Sequence, residues 1–333
     1  MKAVIFDGTL KVCDVKQPKR GKDEVLIKVS HASICNTDHE IMKGYIPNFK
    51  GILGHEFFGF VVDADDKKYI GNRVTGEINI ACGGCELCKK GLGRHCPHRS
   101  VLGIQNKDGA FAEFVTLPLK NVVEIPPDIP DSHAIFIEPL AAALEILEQV
   151  TITQDHSVLL IGDGKLALLI AYVLQSIGCN LTVVGKHPHK LKLLEKSGIK
   201  TTLFNPPSPP FNKGGKGGVK FDIVVEASGN PSGFNLGLEC VKPRGILVLK
   251  STYAAPFNFN PFSIVVNEIT VVGSRCGRFE KAIHFLQTHK LPFEKLISSV
   301  FDLKDAPAAF KFSARHESLK VLLRIGEKAR QRE

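Results

Sequence analysis

A buried strand, a glycine turn and a long apolar helix follow one another between Ser157 and Gly178, in the run SVLLIGDGKLALLIAYVLQSIG. A second strand, NLTVVG, and a second helix, HKLKLLEKSG, come directly after this run. Strands that alternate with helices pack as right-handed crossovers around a parallel sheet. The later apolar runs FDIVVEAS, GILVLKS and ITVVGS continue the sheet. The sequence therefore predicts an α/β domain with a doubly wound parallel sheet over residues 149–277.

The turn that joins the first strand to its helix has the form G-x-G-x-x-A. Its small residues are Gly162, Gly164 and Ala167, and Lys165 and Leu166 lie between them. The two glycines let the backbone approach a pyrophosphate, the small third residue lets helix and strand pack closely, and the helix N-terminus supplies oriented N–H donors. We interpret the turn as a dinucleotide-binding site. The alternative is a tight turn that binds no ligand.

The residues after the second strand indicate which dinucleotide is bound. An NAD-binding chain usually places Asp or Glu about twenty residues after the glycine turn, where it holds the ribose hydroxyls. Gly185 stands at this place and is followed by Lys186 and His187. Loss of the carboxylate removes the repulsion of a 2′-phosphate, and the cations can bind it. We therefore expect NADP to be preferred, with NAD also accepted. The alternative is that Lys186 and His187 only top a helix in solvent.

Four cysteines crowd into the fifteen-residue segment CGGCELCKKGLGRHC. They are Cys82, Cys85, Cys88 and Cys96. Short gaps of this kind let four thiolates converge on one tetrahedral zinc ion. Unpaired or disulfide-linked cysteines are the alternative, but two-residue gaps suit chelation better than cross-linking. The segment is therefore predicted to be a closed structural zinc site.

The residues before 149 have a different pattern from those after it. Short alternating runs such as EVLIKV are separated by Gly, Pro and Asp turns, which is typical of a mainly β domain. A chain of 333 residues is long for a single core and favours two domains. We expect a mainly β domain over 1–148 that carries the zinc lobe of 82–96 as an excursion and is completed by residues 278–333.

A second group of candidate metal ligands lies outside the cysteine lobe. Cys35 and His55 are ligand types that zinc prefers, and a third ligand with an open coordination position would make such a site catalytic. Glu138, near the domain boundary, is the natural third candidate, and Glu56, next to His55, competes for the same place. Taken singly, such residues are usually core residues. Their joint occurrence with the lobe and the glycine turn favours the metal interpretation.

The motifs CNTD, GHEFFG, the cysteine lobe, EPL and the glycine turn occur in this order along nearly the whole chain. In these motifs the chain resembles the zinc-dependent medium-chain dehydrogenase/reductase family, which includes alcohol, sorbitol, glucose and threonine dehydrogenases. The resemblance implies a GroES-like catalytic domain and a Rossmann cofactor domain that flank a cleft with the catalytic zinc. It also implies two zinc ions per chain, and hydride transfer between an alcohol or polyol, or the corresponding carbonyl compound, and NAD(P).

The resemblance implies a catalytic zinc site made from residues that are far apart in sequence. Cys35, His55 and Glu138 match the family's ligands by position, and Glu56 matches a glutamate that joins or replaces a ligand in some members. Thr37 matches the hydroxyl that relays the substrate proton.

Asp38 resembles the carboxylate that orients the ligand histidine. With glutamate in EPL, where alcohol dehydrogenases have cysteine, the chain is similar to the polyol and threonine dehydrogenases of the family.

Three features depart from the family pattern. His39 stands one place before the relay histidine of some alcohol dehydrogenases, the acidic ribose-binding residue is absent, and a Pro- and Gly-rich insertion occupies 205–219. We expect this insertion to be an exposed loop, with a lid as the alternative.

Other classes of protein fit the sequence less well. The chain lacks an apolar run of about eighteen residues for a membrane span, and its first residues lack the regions of a signal peptide, so we expect a cytoplasmic protein. The net charge of +9 is scattered, which favours a solvated surface over nucleic-acid binding. A zinc-ribbon protein that binds nucleic acid would leave Cys35, His55 and Glu138 without a role. The other alternative is a catalytically degenerate family member with a binding or structural role. Separately, the family resemblance implies that the protein forms a homodimer or homotetramer.

Overall fold

The computed structural model describes residues 1–204, 219–252 and 256–326. The chain divides into two compact units, residues 1–138 with 279–333, and residues 139–278. The second unit thus begins at Pro139, near the start of the helix Ile137–Gln149, whereas the sequence pattern places the boundary between residues 148 and 149, near the end of that helix. The stretch 205–218, which makes up nearly all of the predicted insertion, lies outside the described residues. Within the described ranges, none of the helices combines the length and the apolar character that a bilayer crossing requires.

The first unit is built mainly of short β-strands. Its first stretch of chain forms β1 (Lys2–Phe6), β2 (Leu10–Asp14), β3 (Glu24–Ile34), β4 (Gly51–Ile52), β5 (Glu56–Asp63), β6 (Arg73–Gly76), β7 (Asn79–Ile80), β8 (Ser100–Leu102), β9 (Asn106–Lys107), β10 (Phe114–Pro118) and β11 (Val122–Glu124). The helices of this stretch are α1 (Asn36–Met42), α2 (Glu86–Lys89) and α3 (Asp131–Ala134).

The second unit is a parallel sheet with helices between its strands. Helix α4 (Ile137–Gln149) leads into it. Its strands are β12 (Ser157–Ile161), β13 (Asn180–Gly185), β14 (Lys200–Leu203), β15 (Phe221–Glu226), β16 (Val241–Leu249) and β17 (Thr270–Gly273). Its helices are α5 (Lys165–Ile177), α6 (Pro188–Glu195), α7 (Pro231–Cys240) and α8 (Phe262–Val266). The strand order β14-β13-β12-β15-β16-β17 is the doubly wound order 3-2-1-4-5-6, so the predicted fold class is confirmed.

The chain then returns to the first unit. It forms α9 (Phe279–Thr288), β18 (Ile297–Asp302), α10 (Ala306–Ser313) and β19 (Lys320–Arg324). The main sheet runs β11-β6-β5-β3-β19-β18, with β10 also paired to β3, and two smaller sheets run β2-β1-β4 and β7-β8-β9. The last strands of the chain therefore complete a sheet that the first strands begin. Single turns of 3₁₀ helix lie at Lys67–Tyr69, Gly93–His95, Leu119–Asn121, Phe293–Leu296 and Leu303–Asp305.

The register of β3 positions the polar residues described below. In the antiparallel pairing of β3 with β5, Ser33 lies opposite Glu56. On the other side of β3, Ile34 lies opposite Val321 of β19. The end of β3 therefore meets the start of β5 and the start of β19, and residues adjacent to these three strand ends are brought together.

The sheet of the second unit positions the glycine turn. Strand β12 is continuously apolar and is buried apart from its first residue, because a central parallel strand is covered on both faces. In helix α5 every residue from Ala167 to Leu174 is buried. The turn between β12 and α5 lies at the carboxyl end of the strand, where ligands of doubly wound sheets bind.

Candidate functional site

Cys35, His55 and Glu56 form one compact group in the first unit. Each offers a ligand atom, and these atoms all lie within 4.8 Å of one another. Cys35 follows the last residue of β3 and is the N-cap of α1, while His55 directly precedes β5. The antiparallel pairing of the two strands thus explains why residues twenty positions apart in the sequence meet. His55 and Glu56 are buried, and Cys35 is partly buried.

Asp38 lies beside His55. Its Oδ1 is 3.3 Å from His55 Nδ1, and both side chains are almost completely buried. Its Oδ2 accepts a hydrogen bond of 2.9 Å from the backbone N–H of Cys35. Burial lowers the pKa of His55, but Asp38 and Cys35 outweigh this effect and raise the pKa well above its ordinary value. The negative groups around the ring thus favour a cation here, and because Nδ1 faces Asp38, Nε2 would be the nitrogen open to a metal ion. The donor set of sulfur, imidazole and carboxylate suits zinc.

Glu56 also belongs to a buried ion pair that the sequence analysis missed. Lys320 Nζ lies 2.6 Å from Glu56 Oε2, and the two side chains are 3% and 1% exposed. Ser33, opposite Glu56 in the sheet, donates a second hydrogen bond to the same oxygen. Burial raises the pKa of Glu56, but Lys320 and His55 lower it more, so the pKa lies below its ordinary value. The only sequence signal was a lysine within the apolar strand LKVLL.

Glu138, the other predicted third ligand, is not a member of this group of three. It lies in the first turn of α4. Burial lowers the pKa of Lys320, and Glu56, Cys35 and, to a lesser extent, Glu138 raise it above its ordinary value. The charge of Glu138 therefore acts on the same ammonium group that Glu56 binds.

The two residues next to Asp38 in sequence have different surroundings. The thiol of Cys35 lies 3.6 Å from Thr37 Oγ1, so the predicted relay hydroxyl is beside the candidate ligand. His39 Nε2 instead lies 2.7 Å from Ser313 Oγ on α10, and its ring packs edge-on against Phe310. These contacts give His39 a packing role, in keeping with its position one place away from the relay histidine.

The four cysteines of the lobe converge as the spacing predicts. Sulfur–sulfur distances of 3.4 Å (Cys85–Cys88), 3.5 Å (Cys82–Cys96), 3.7 Å (Cys85–Cys96) and 3.9 Å (Cys82–Cys88) connect them. Zn–S bonds of about 2.3 Å in a tetrahedron separate the sulfurs by about 3.8 Å. Backbone N–H groups lower the pKa of Cys82 to about 6, whereas desolvation raises that of Cys88 to about 12. A zinc ion fits this geometry and would hold all four groups as thiolates.

The glycine turn of the second unit has the shape that a pyrophosphate needs. Gly162 adopts φ +125°, and a Cβ there would lie 2.5 Å from the carbonyl oxygen of Ala227. A Cβ on Gly164, the N-cap of α5, would meet no atom within 4 Å. Lys165 and Leu166 begin α5, and Ala167 is buried. The backbone N–H groups at this helix start are therefore open to an anionic ligand.

Asp163, between the two glycines, is a further residue that the sequence analysis missed. Its Oδ2 accepts hydrogen bonds from the backbone N–H groups of Lys186 (2.7 Å) and His187 (2.6 Å). Its Oδ1 lies 2.9 Å from His187 Nδ1. Lys186 is exposed and His187 is partly exposed. The predicted 2′-phosphate residues thus lie directly beside the glycine turn.

Comparison with known proteins gives matches in both units. Residues 21–127 match the family model described as alcohol dehydrogenase GroES-like domain, and residues 166–288 match the one described as zinc-binding dehydrogenase. L-threonine 3-dehydrogenase of Coxiella burnetii is 31% identical over 323 residues, which are 92% of this chain and 93% of that protein. Sorbitol dehydrogenase of Halalkalibacterium halodurans is 29% identical over 329 residues, or 95% and 96% of the two chains.

Solved structures agree over almost the full length. A short chain alcohol dehydrogenase from Escherichia coli CFT073, complexed with NADH, has a TM-score of 0.89 at 27% identity and covers 97% of this chain and 99% of its own. A putative zinc-binding dehydrogenase from Sinorhizobium meliloti 1021, bound to NADP, has a TM-score of 0.87 at 29% identity and covers 97% and 98%. The predicted family resemblance is confirmed by these matches.

Proposed function

Because the chain belongs to the zinc-type medium-chain dehydrogenase family, we propose that it oxidises an alcohol or polyol, or reduces the corresponding carbonyl compound, with NAD(P) as the hydride carrier. It is an oxidoreductase whose relatives include threonine and sorbitol dehydrogenases. The observation that carries the proposal is the compact group of the partly buried Cys35 and the buried His55 and Glu56, with Asp38 beside the histidine. Core packing alone gives no reason to bury these groups together.

We propose that Cys35, His55 and Glu56 hold the catalytic zinc and that the cysteine lobe holds the structural zinc. A zinc ion held at the first site would supply a Lewis acid, which would polarise the substrate oxygen and lower the pKa of an alcohol proton. Glu56 is preferred as the third ligand because it already lies within 4.8 Å of the other two. Glu138 is the alternative. A zinc content that falls by one ion in Glu138→Gln but not in Glu56→Gln would select Glu138.

The residues around this group have distinct tasks in the reaction. Asp38 fixes the tautomer and orientation of His55. Lys320 balances the charge of Glu56 in a buried setting. Thr37 Oγ1 accepts the hydroxyl proton of the alcohol and passes a proton on to solvent. A bound NAD(P)⁺ would supply the hydride acceptor, C4 of its nicotinamide, so that loss of a hydride from the carbinol carbon would give the carbonyl compound and NAD(P)H.

We propose that NADP is the preferred form of the cofactor. Gly162, Gly164 and the first N–H groups of α5 would hold the pyrophosphate. Lys186 and His187 would bind the 2′-phosphate, since the acid that holds the ribose of NAD is replaced by Gly185. One structural neighbour holds NADH and another NADP, so the neighbours do not indicate which cofactor is preferred. The proposal therefore depends on Gly185, Lys186 and His187 of this chain.

We also propose that the protein forms a homodimer or homotetramer. Among the described strands, β17 is one of the two edges of its sheet, and Val271 in it is 40% exposed. An edge strand with exposed apolar side chains can pair with the same strand of another copy.

The test combines metal analysis with activity assays. Purified protein is assayed for zinc and for turnover of polyols, sugars, amino alcohols and simple alcohols, with NADP and with NAD. The proposal predicts two zinc ions per chain and turnover of at least one alcohol class. One zinc ion without turnover would contradict it and would fit a degenerate family member.

A further inference from the structure

The backbone N–H groups that follow strand β13 donate hydrogen bonds to a carboxylate at the end of the neighbouring strand β12. Asp163 comes from the turn after β12, is 7% exposed, and binds the backbone N–H groups of Lys186 and His187 at 2.7 and 2.6 Å. Its other oxygen lies 2.9 Å from His187 Nδ1. One side chain therefore fixes both the path of the chain after β13 and the ring of His187.

This arrangement requires glycine at position 185. A Cβ on Gly185 would lie 2.5 Å from Asp163 Oδ2 and 2.6 Å from Asp163 Cβ. Any acidic side chain at the end of β13 would therefore displace Asp163. The ribose-binding carboxylate that dinucleotide-binding chains usually place there and the Asp163 carboxylate exclude each other.

The Asp163 carboxylate is a poor substitute for that ribose-binding acid. Two backbone N–H groups and an imidazole N–H already use it, out of about four lone-pair sites on a carboxylate. Its charge is also partly neutralised by these donors, which reduces its repulsion of a nearby phosphate.

The side chain of Lys186 is held by a contact with Phe204, a residue that is hydrogen-bonded to the end of β13. Its Nζ lies 5.4 Å from the ring centroid of Phe204. The backbone N–H of Phe204 donates a 2.8 Å hydrogen bond to the carbonyl oxygen of Gly185. The ammonium group is thus stabilised by a cation–π contact with a residue that the same strand end holds.

We infer that Asp163 is a positioning residue that makes the protein prefer NADP. Its carboxylate fixes the backbone of Lys186 and His187 and the Nδ1 side of the His187 ring. It thereby orients both side chains to bind the 2′-phosphate of NADP. The inference rests on the proposed function. It assigns to Asp163 an effect that acts through its neighbours and is confined to cofactors with a 2′-phosphate.

The test measures binding, which needs neither substrate nor turnover. Zinc-loaded wild type, Asp163→Ala and Asp163→Asn are titrated calorimetrically with NADPH, NADH, adenosine 2′,5′-bisphosphate and AMP. Asp155→Asn is the matched control, because Asp155 is exposed and lies in the loop before β12. Melting temperatures without cofactor show whether each variant is folded, and Asp163→Asn, which is close to isosteric, serves if the alanine variant is unstable.

We expect Asp163→Ala to weaken NADPH and adenosine 2′,5′-bisphosphate about tenfold or more, the loss typical of one charge-assisted hydrogen bond. NADH and AMP should change less than about threefold, and Asp155→Asn should change none of the four. Tighter NADPH binding in either Asp163 variant would show that the carboxylate repels the 2′-phosphate and would overturn the inference. Equal weakening of NADPH and NADH would overturn it too. Failure of the wild type to bind either reduced cofactor would instead refute the proposed function.

Discussion

Lys320 and Glu56 form a buried ion pair, with 2.6 Å between Nζ and Oε2, beside the candidate catalytic group. Strand β19, near the end of the described chain, thus supplies the positive charge that balances a carboxylate at the start of β5. A buried pair of this kind is costly to break, because removing one partner leaves the other charge without compensation.

Lys320→Met should therefore lower the free energy of unfolding of the zinc-loaded protein by about 3–5 kcal/mol. The matched control is Lys90→Met, because the Lys90–Glu86 pair is 62% and 80% exposed. That variant should lose less than about 1 kcal/mol. Urea unfolding followed by circular dichroism measures both. Equal losses in the two variants would show that burial of the Lys320–Glu56 pair has no consequence.

Cys88→Ser should remove the structural zinc. We expect the zinc content to fall by one ion per chain and the melting temperature to fall by several degrees, because metal binding contributes directly to folding stability. Cys13→Ser is the control, since Cys13 is a partly buried cysteine in neither ligand group. Elemental analysis and a thermal melt provide the readouts. An unchanged zinc content in Cys88→Ser would show that the cysteine lobe does not bind zinc.

Cys35→Ser should abolish turnover while leaving the fold intact. The loss of a ligand at the catalytic site is expected to lower kcat about a thousandfold or more, since a Lewis acid supplies several kcal/mol of transition-state stabilisation. The melting temperature should stay close to that of Cys13→Ser. An active Cys35→Ser protein would refute the ligand role of this cysteine.

Lys186→Asp combined with His187→Ala should reverse the cofactor preference. Loss of the two phosphate-binding side chains and the new negative charge should raise the KM for NADP about a hundredfold, with a change of only a few-fold for NAD. Lys192→Asp gives the same change of charge at an exposed position in α6. Steady-state kinetics with both cofactors provide the comparison, and parallel rises in both KM values would reject the 2′-phosphate assignment.

The sequence predicts those parts of the molecule that depend on local patterns. The run from Ser157 to Gly178 alone contains a strand, a turn and a helix, so the parallel sheet and its glycine turn were predictable. The cysteine lobe was predictable as well, because its four ligands lie within fifteen residues and their spacing reflects the geometry of the metal.

Contacts between distant residues were harder to predict. Lys320 and Glu56 are 264 positions apart, and no local sequence pattern predicts which strand will pair with β3. Asp163 and Gly185 were both visible in the sequence, but the clash between Asp163 and any larger side chain at position 185 depends on the distance between two strand ends. The sequence offered both Glu138 and Glu56 as the third ligand, whereas the register of β3 with β5 explains why Glu56 is the one that lies beside Cys35.

The central claim is that Cys35 and His55 hold a zinc ion with a glutamate as their partner. Anomalous diffraction from crystals of zinc-loaded protein, recorded on both sides of the zinc absorption edge, tests this claim most directly. We expect two peaks per chain, one among the four lobe cysteines and one between Cys35 and His55 with a glutamate oxygen in contact. A single peak, confined to the lobe in fully loaded protein, would contradict it.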